Sequence, residues 1–229
     1  MKLHRLIVGL CLAALFSACG GGGSDSTPAT GPVTSTLSFP LKSAYSTLVA
    51  NGYTKSYDVS GSCKGFASEI TAPATGGQTF EGVTVPWSTA LTLTISLTTC
   101  TPPSITATVT AYYDNDYTPL GFSSNGVHSV YLPTPSIPPS IMVGDTGTIG
   151  TATNFTDSSK ITRAGKTVVS YVVEPDTAST AIVNLIFKTF DTSDNLTSTE
   201  QDRYRISATG ALAPVSKDTL TATTHLILQ

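Results

Sequence analysis

The sequence LTLTISLTT at positions 91–99 alternates apolar residues with residues that carry a hydroxyl group. The sequence ITATVTAYY at positions 105–113 has the same period of two. Successive side chains of a β-strand point to opposite faces, so this alternation predicts strands with one apolar and one polar face. Such strands are typical of antiparallel sheets. These two stretches therefore predict a mostly antiparallel β fold.

The same alternation, or short apolar runs bounded by Gly, Pro, Asn and Asp, continues through most of the chain. The pattern predicts about eleven strands, each rich in residues that favour sheets. Their predicted ranges are 55–59, 62–71, 79–85, 91–99, 105–113, 121–131, 147–156, 167–173, 180–191, 198–207 and 219–228.

One stretch departs from this pattern and predicts a short N-terminal helix near residues 40–51. Its apolar residues recur at the spacing of one helical face. They are Leu41, Ala44, Tyr45, Leu48 and Val49. Pro40 suits the first turn of a helix, and Asn51-Gly52 suits its end.

A proline-rich segment at positions 133–140 interrupts the β pattern. Its prolines are Pro133, Pro135, Pro138 and Pro139. Proline cannot donate a hydrogen bond to a sheet, so the segment predicts an extended connector. We therefore expect two lobes of β-sandwich or meander type. The first, residues 37–132, would contain the helix, and the second, residues 141–229, would be an antiparallel meander.

The N-terminus has the three parts of an export signal. Lys2 and Arg5 give a basic start, an apolar run follows, and small residues precede Cys19. The sequence LFSAC at positions 15–19 resembles a bacterial lipobox. That resemblance implies a signal peptide at residues 1–18 and a diacylglycerol and an acyl chain on Cys19, with no other cofactor. The alternative is an ordinary cleaved signal that a cysteine happens to follow.

Residues 19–36 are rich in Gly, Ser, Thr and Pro, a composition that predicts a flexible tether between a lipid anchor and a folded body. In proteins with such lipoboxes, a residue other than Asp after the acylated cysteine favours the outer membrane. This position is Gly20. The expected location is thus the cell envelope, with the exported protein anchored in the outer membrane.

Several segments together look like a group of uncharacterised lipoproteins of Gram-negative bacteria. Besides the lipobox and its glycine-rich tether, they are FPL at 39–41, SGSC at 60–63, YD at 113–114 with PLG at 119–121, and SYVVE at 170–174. The resemblance covers most of the chain. It implies an envelope location and brings no activity or catalytic residue with it.

The four cysteines reduce to one pair in the mature chain. Cys11 lies in the signal, and Cys19 is the predicted acylation site, which leaves Cys63 and Cys100. An even pair in an exported protein predicts a disulfide. The rival interpretation is a catalytic thiol, because the segment around Cys63 has the form G-x-C-x-G. That motif needs a buried parallel strand before it and a helix after it, which the sequence does not predict.

Composition argues against several classes of function. The chain has 12 basic and 15 acidic residues without a basic cluster, so nucleic acid is not an expected partner. It also contains 39 Thr and 27 Ser, which favour a neutral, hydroxyl-rich surface. No apolar run after the signal is long enough for a transmembrane helix.

Few residues offer catalytic chemistry. Only His128 and His225 follow the signal, and a set such as Ser124, His128 and Asp114 is not selected by any spacing. No ligand cluster for zinc is present, and the acidic turns at 114–116 and 191–195 do not match a calcium loop. We therefore predict no catalytic residue, no metal site and no enzyme activity.

Aromatic residues of the first lobe are candidate ligand contacts, because aromatic rings with hydroxyl-rich neighbours suit sugar faces. They are Trp87, Tyr112, Tyr113 and Tyr117. The alternative is that these rings fill the core.

Three functions remain open. The first is a non-enzymatic lipoprotein with a structural, adhesive or partner-binding role, with an envelope protein or a polysaccharide as its partner besides the membrane. The second is a periplasmic carrier or chaperone that holds an apolar ligand between the helix and a curved sheet. The third is an envelope hydrolase. A lined apolar cavity of several hundred cubic ångströms would favour the carrier.

Overall fold

Twelve strands pair edge to edge in a closed antiparallel β-barrel, in a computed structural model that describes residues 33–124 and 126–229. A single helix precedes the strands within this part of the chain. The elements are α1 (Leu41–Asn51), β1 (Tyr53–Gly61), β2 (Gly65–Thr71), β3 (Thr79–Phe80), β4 (Val83–Thr84), β5 (Trp87–Leu97), β6 (Ser104–Tyr113), β7 (Pro119–Ser124), β8 (Val127–Tyr131), β9 (Thr146–Phe155), β10 (Arg163–Pro175), β11 (Thr180–Phe190), β12 (Leu196–Ser207), β13 (Leu212–Thr221) and β14 (His225–Leu228). The predicted signal peptide, the predicted acylation site Cys19 and most of the predicted tether lie outside the described residues.

The order of strands around the ring is β1-β14-β13-β12-β11-β10-β9-β8-β7-β6-β5-β2, and β2 pairs with β1. Most neighbours are consecutive in the chain. The exceptions are β2 with β5, between which the separate β3–β4 hairpin is inserted, and β1 with β14. The closing pair is short: Val59, Ser60 and Gly61 face Leu228, Ile227 and Leu226. Closure leaves the ring without an unpaired edge strand.

The prediction of a mostly antiparallel β fold with one short helix is confirmed, but the prediction of two lobes of sandwich or meander type is wrong. The proline-rich segment at 133–140 separates β8 from β9 along the chain, but it does not divide the sheet. Strand β8 before it pairs directly with β9 after it, from His128 opposite Phe155 to Tyr131 opposite Ala152. Alternation shows that a strand has one apolar face, and this holds equally for a sandwich and a barrel.

In three places where the sequence predicts one strand, the structure has two. Positions 79–85 contain the β3–β4 hairpin, whose turn residues Glu81 and Gly82 have φ of 52° and 77°. Positive φ at both central residues is typical of a two-residue type I′ turn. Positions 121–131 contain most of β7 and all of β8, and positions 219–228 contain the end of β13 and all of β14. Asn-Gly at positions 125–126 is a sequence signal for such a turn.

Helix α1 packs at one end of the barrel. It follows Pro40 and ends at Gly52, whose φ is 64° and whose N–H donates to the Leu48 carbonyl at 2.9 Å. A side chain at Gly52 would meet the Thr71 carbonyl oxygen at 2.2 Å, so only glycine fits there. Leu41 and Ala44 belong to a buried apolar cluster that includes residues from the ends of β10, β11 and β12. These residues are Val173, Ala181, Val183 and Ile206.

The alternation of the sequence separates the two faces of the barrel wall. On β5 and β6, apolar residues such as Leu91, Leu93 and Val109 line the interior. Threonines occupy the outer face, where Thr92 and Thr108 lie 3.3 Å apart between their hydroxyl oxygens. The large aliphatic side chains of these two strands thus face inward. Among the described residues, no helix has the length and apolar character needed to cross a membrane.

Candidate functional site

The interior of the barrel contains a cavity of about 550 Å³, bounded at one end by residues of α1. Most of its wall is apolar. Contributing residues include Leu48, Leu91, Leu93, Val109, Leu185 and Phe187. This volume is within the range of sites that bind small molecules. The cavity can therefore hold an apolar molecule of moderate size.

One side of the cavity carries charge. Lys217 on β13 lies between carboxylates of β2 and β12: its Nζ is 2.5 Å from Asp202 Oδ2, 3.4 Å from Glu69 Oε1 and 3.8 Å from Glu200 Oε1. We call these four residues the charged cluster. Register explains the closest contact, because Asp202 and Lys217 are directly opposite each other on neighbouring strands. Glu69 is fully buried, and Lys217 and Asp202 are nearly so.

Two tyrosines of β1 complete the surroundings of Glu69. Tyr53 Oη donates to Glu69 Oε1 at 2.5 Å, and Tyr57 Oη donates to Oε2 at 3.1 Å. Burial, and then the negative charge of Glu69, raise the pKa of both tyrosines above the ordinary value. Both hydroxyl groups therefore stay protonated and act as donors. Each oxygen of this buried carboxylate thus has a neutral donor, in addition to the ammonium of Lys217.

Charges within the cluster change the pKa values of two of its members, Lys217 and Glu200. Burial favours a neutral Lys217, but the charges of Asp202, Glu200 and Glu69 raise the pKa of its ammonium well above the ordinary value. The charge of Asp202, and then burial, raise the pKa of Glu200 to about 8. Near neutral pH, Glu200 therefore holds a proton beside Asp202. This proton reduces the negative charge that faces the Lys217 ammonium.

Asp202 retains an unused acceptor. Its Oδ2 accepts from Lys217, whereas the buried Oδ1 has no hydrogen-bond donor other than the proton that Glu200 carries. Asp202 is 6% exposed and lines the cavity. A buried acceptor without a partner costs about 1–3 kcal/mol. Asp202 thus adds a buried carboxylate oxygen without a protein donor to the polar side of the cavity wall.

Only one of the four predicted ligand-contacting aromatics lines the cavity. It is Tyr113, whose ring packs edge-on against Tyr45 at 6.5 Å and whose pKa burial raises to about 12. Trp87 stacks on Tyr117 at 5.3 Å, and Tyr112 stacks on Phe80 of the β3–β4 hairpin at 4.4 Å. These three rings are not among the residues that line the cavity.

His128 has a serine and a carboxylate as partners, though not the predicted ones. Ser124 lines the cavity, and Asp114 Oδ1 accepts backbone N–H groups within its own turn. On the opposite face of the wall, Ser123 Oγ lies 3.2 Å from His128 Nδ1, and Glu81 Oε1 lies 2.7 Å from Nε2. Ser123 is directly across from His128 in the ladder. We call Ser123, His128 and Glu81 the outer triad.

The outer triad lies where the β3–β4 hairpin covers the wall. Lys160 also pairs with Glu81. Burial alone would raise the pKa of Glu81, but hydrogen bonds from Lys160 and His128 hold it below the ordinary value. Phe80 contacts the His128 ring at 5.2 Å between centroids, and His128 is 6% exposed. Sequence spacing could not select Glu81, because the hairpin brings it to His128 from 47 positions away.

The predicted disulfide between Cys63 and Cys100 is confirmed, with an S–S distance of 2.00 Å. It joins the β1–β2 loop to the β5–β6 loop. Since β1 starts beside α1 and ends before Cys63, the disulfide lies at the other end of the barrel. No group of three or more His, Cys, Asp or Glu that could hold a metal ion occurs among residues 33–124 and 126–229.

The charged cluster left a signal in the sequence. Glu69 shares the inward phase of Ala67 and Thr71, and Asp202 shares that of Ile206. A charge in the apolar phase of a strand indicates a buried partner, but not which one. Comparison with known proteins adds no candidate: no protein-family model, curated protein or solved structure matches the chain.

Proposed function

We propose that the protein is a carrier that binds an apolar small molecule inside its barrel. The observation that carries this proposal is the cavity of about 550 Å³ between α1 and an apolar inner wall. Burial of apolar ligand surface provides about 25 cal/mol per Å², so a ligand filling such a cavity can bind without many polar contacts. Carriage does not require a reactive group, in line with the prediction of a non-enzymatic protein.

The carrier proposal is compatible with the envelope location predicted from the lipobox. A folded body on a flexible tether at Cys19 could take up an apolar molecule close to a membrane and keep it from water. The alternative of a structural or adhesive role for this lipoprotein stays a prediction. The cavity favours the carrier, because a purely structural barrel of this kind gains stability from a filled interior.

The test is binding of a neutral fluorescent probe, N-phenyl-1-naphthylamine, to the full exported chain with Cys19→Ala, so that no acyl chain competes. We expect saturable binding that Val109→Trp weakens at least tenfold, since the indole ring occupies the cavity. Thr108→Trp is the matched control, because Thr108 is exposed on the outer face of the same strand. Absence of saturable binding, or equal binding by both variants, contradicts the proposal.

A second candidate function is ester hydrolysis, which the outer triad favours. His128 Nδ1 could accept the Ser123 proton while Oγ attacks an ester carbonyl carbon, and Glu81 would hold the imidazole ring. The C–O bond of the ester would break, and the imidazolium would give its proton to the leaving alcohol. Water would then release the acid from Ser123 with His128 again as the base. A fluorophosphonate probe tests this. If Ser123 is a nucleophile, the wild-type protein and Ser124→Ala are labelled, and Ser123→Ala is not. No labelling of the wild type, or labelling that persists in Ser123→Ala, rejects this candidate and leaves the outer triad as an anchor for the β3–β4 hairpin.

A further inference from the structure

The polar side of the cavity has a specific chemistry. Glu200 and Asp202 are two positions apart on β12 and both line the cavity. Lys217 occupies only one oxygen of Asp202, and the other oxygen, Oδ1, has no donor once Glu200 is ionised. Two carboxyl groups therefore face the interior, and one of them has a buried acceptor in need of a hydrogen-bond donor.

The charge of this region is unbalanced. Lys217 is the only described cation within 4 Å of the three carboxylates of the charged cluster. Lys55 on β1 is directly opposite Glu69 in the ladder, but its Nζ lies over the Tyr57 ring, 5.6 Å from the ring centroid. Excess negative charge away from water is costly, and in the unliganded protein a proton on Glu200 reduces it. A bound cation can take the place of that proton.

The remaining polar groups select against an anion. The hydroxyl groups of Tyr53 and Tyr57 already donate to Glu69, and Lys217 is surrounded by carboxylates. A ligand carboxylate would add a further negative charge beside three carboxyl groups, and the one unpartnered hydroxyl described here, Thr71 Oγ1, is neutral. An ammonium group, in contrast, supplies donors and a positive charge at once.

We propose that the ligand of the cavity is an amphipathic amine, with its apolar body against the inner wall and its protonated amino group between Glu200 and Asp202. This inference rests on the proposed carrier function and names its ligand class. It places the amino group beside the Glu200 carboxylate, whose side chain is 43% exposed, and next to Asp202 on the same strand.

Binding of an amine should release a proton. The charged groups that face Glu200 are Asp202 on its own strand, Lys217 on β13 and Glu69 on β2. Tyr53 on β1 acts on the same cluster through Glu69 and Lys217. Since the pKa of Glu200 is raised to about 8, an ammonium that binds below this pH displaces the proton. Affinity for the amine is then expected to rise about tenfold per pH unit up to pH ~8 and to level off above it.

The experiment is displacement of N-phenyl-1-naphthylamine by decylamine, decanol and decanoate between pH 6 and pH 9, again with the Cys19→Ala chain. At pH 8 we expect decylamine to bind at least tenfold more tightly than decanol, and decanoate more weakly than either. Glu200→Gln should remove most of this preference and the rise with pH, while decanol still binds. Asp218→Asn is the matched control, since Asp218 pairs with His225 next to Lys217 but not in the cavity.

The binding results distinguish failure of the amine inference from failure of the carrier proposal. If decanol binds as tightly as decylamine, or if Glu200→Gln leaves the preference for the amine unchanged, the amine inference is overturned and the carrier proposal stands. If neither N-phenyl-1-naphthylamine nor any of the three decyl compounds binds, both the amine inference and the carrier proposal are overturned. A preference for decylamine that Asp218→Asn retains and Glu200→Gln loses supports the inference.

Discussion

Replacing Lys217 by methionine is expected to lower the free energy of unfolding by about 3–5 kcal/mol, which is the usual effect of removing one partner from a buried ion pair. Methionine keeps much of the side-chain volume, so the loss is mainly electrostatic. Asp202 would lose its donor at 2.5 Å, and Glu69 would lose its ammonium at 3.4 Å. Urea denaturation at pH 7 measures the change.

Lys188→Met is the control for Lys217→Met. Lys188 is an exposed lysine on the outer face of β11, and its replacement should change the free energy of unfolding by no more than about 0.5 kcal/mol. Combining Lys217→Met with Asp202→Asn should cost less than the sum of the two single changes, because the double variant has one buried negative charge fewer. An equal, small effect of Lys217→Met and Lys188→Met would show that the charged cluster is not buried as described.

Removal of the disulfide by Cys63→Ser with Cys100→Ser is expected to lower the free energy of unfolding by roughly 4 kcal/mol. The two cysteines are 37 positions apart, so the bond restricts a long loop of the unfolded chain. It also supports the end of β1, where Ser62 N donates to the His225 carbonyl at 2.7 Å beside the closing strand pair. Guanidinium denaturation of the oxidised wild type and the double variant measures the loss.

Chemical reduction is the control for the disulfide. The wild type in excess reductant should unfold at the same denaturant concentration as the serine double variant, and the variant should not respond to reductant. A loss below about 1 kcal/mol in both cases would contradict the expectation drawn from loop length.

Local features of the fold could be predicted from the sequence, whereas its closure could not. Alternation at positions 91–99 predicts the inner and outer faces of β5, and Pro40 and Gly52 mark the ends of α1. These features depend on neighbouring residues only. Pairing of β8 with β9 across four prolines depends on register between distant segments, which a period of two does not specify.

In the candidate site too, the sequence predicts local features but not which distant residues come together. One function that the sequence leaves open is a carrier with an apolar cavity between helix and sheet, and the apolar phase of β5 and β6 supplies part of such a wall. The charged cluster was missed, since Glu69, Asp202 and Lys217 come from three strands that are far apart in the chain. Likewise, the choice of Ser123 over Ser124 as the partner of His128 depends on which face of β7 each serine occupies.

Closure between β1 and β14 has a consequence for how the chain folds. Val59 pairs with Leu228, and 228 − 59 gives a separation of 169 positions, whereas most other strand pairs join consecutive segments. Contacts of such sequence separation carry a large loop-closure entropy and form slowly. Until they form, β1 and β14 both present unpaired backbone groups that can pair with another chain. We therefore expect the three residue pairs of this seam to be among the last contacts of the ring to form.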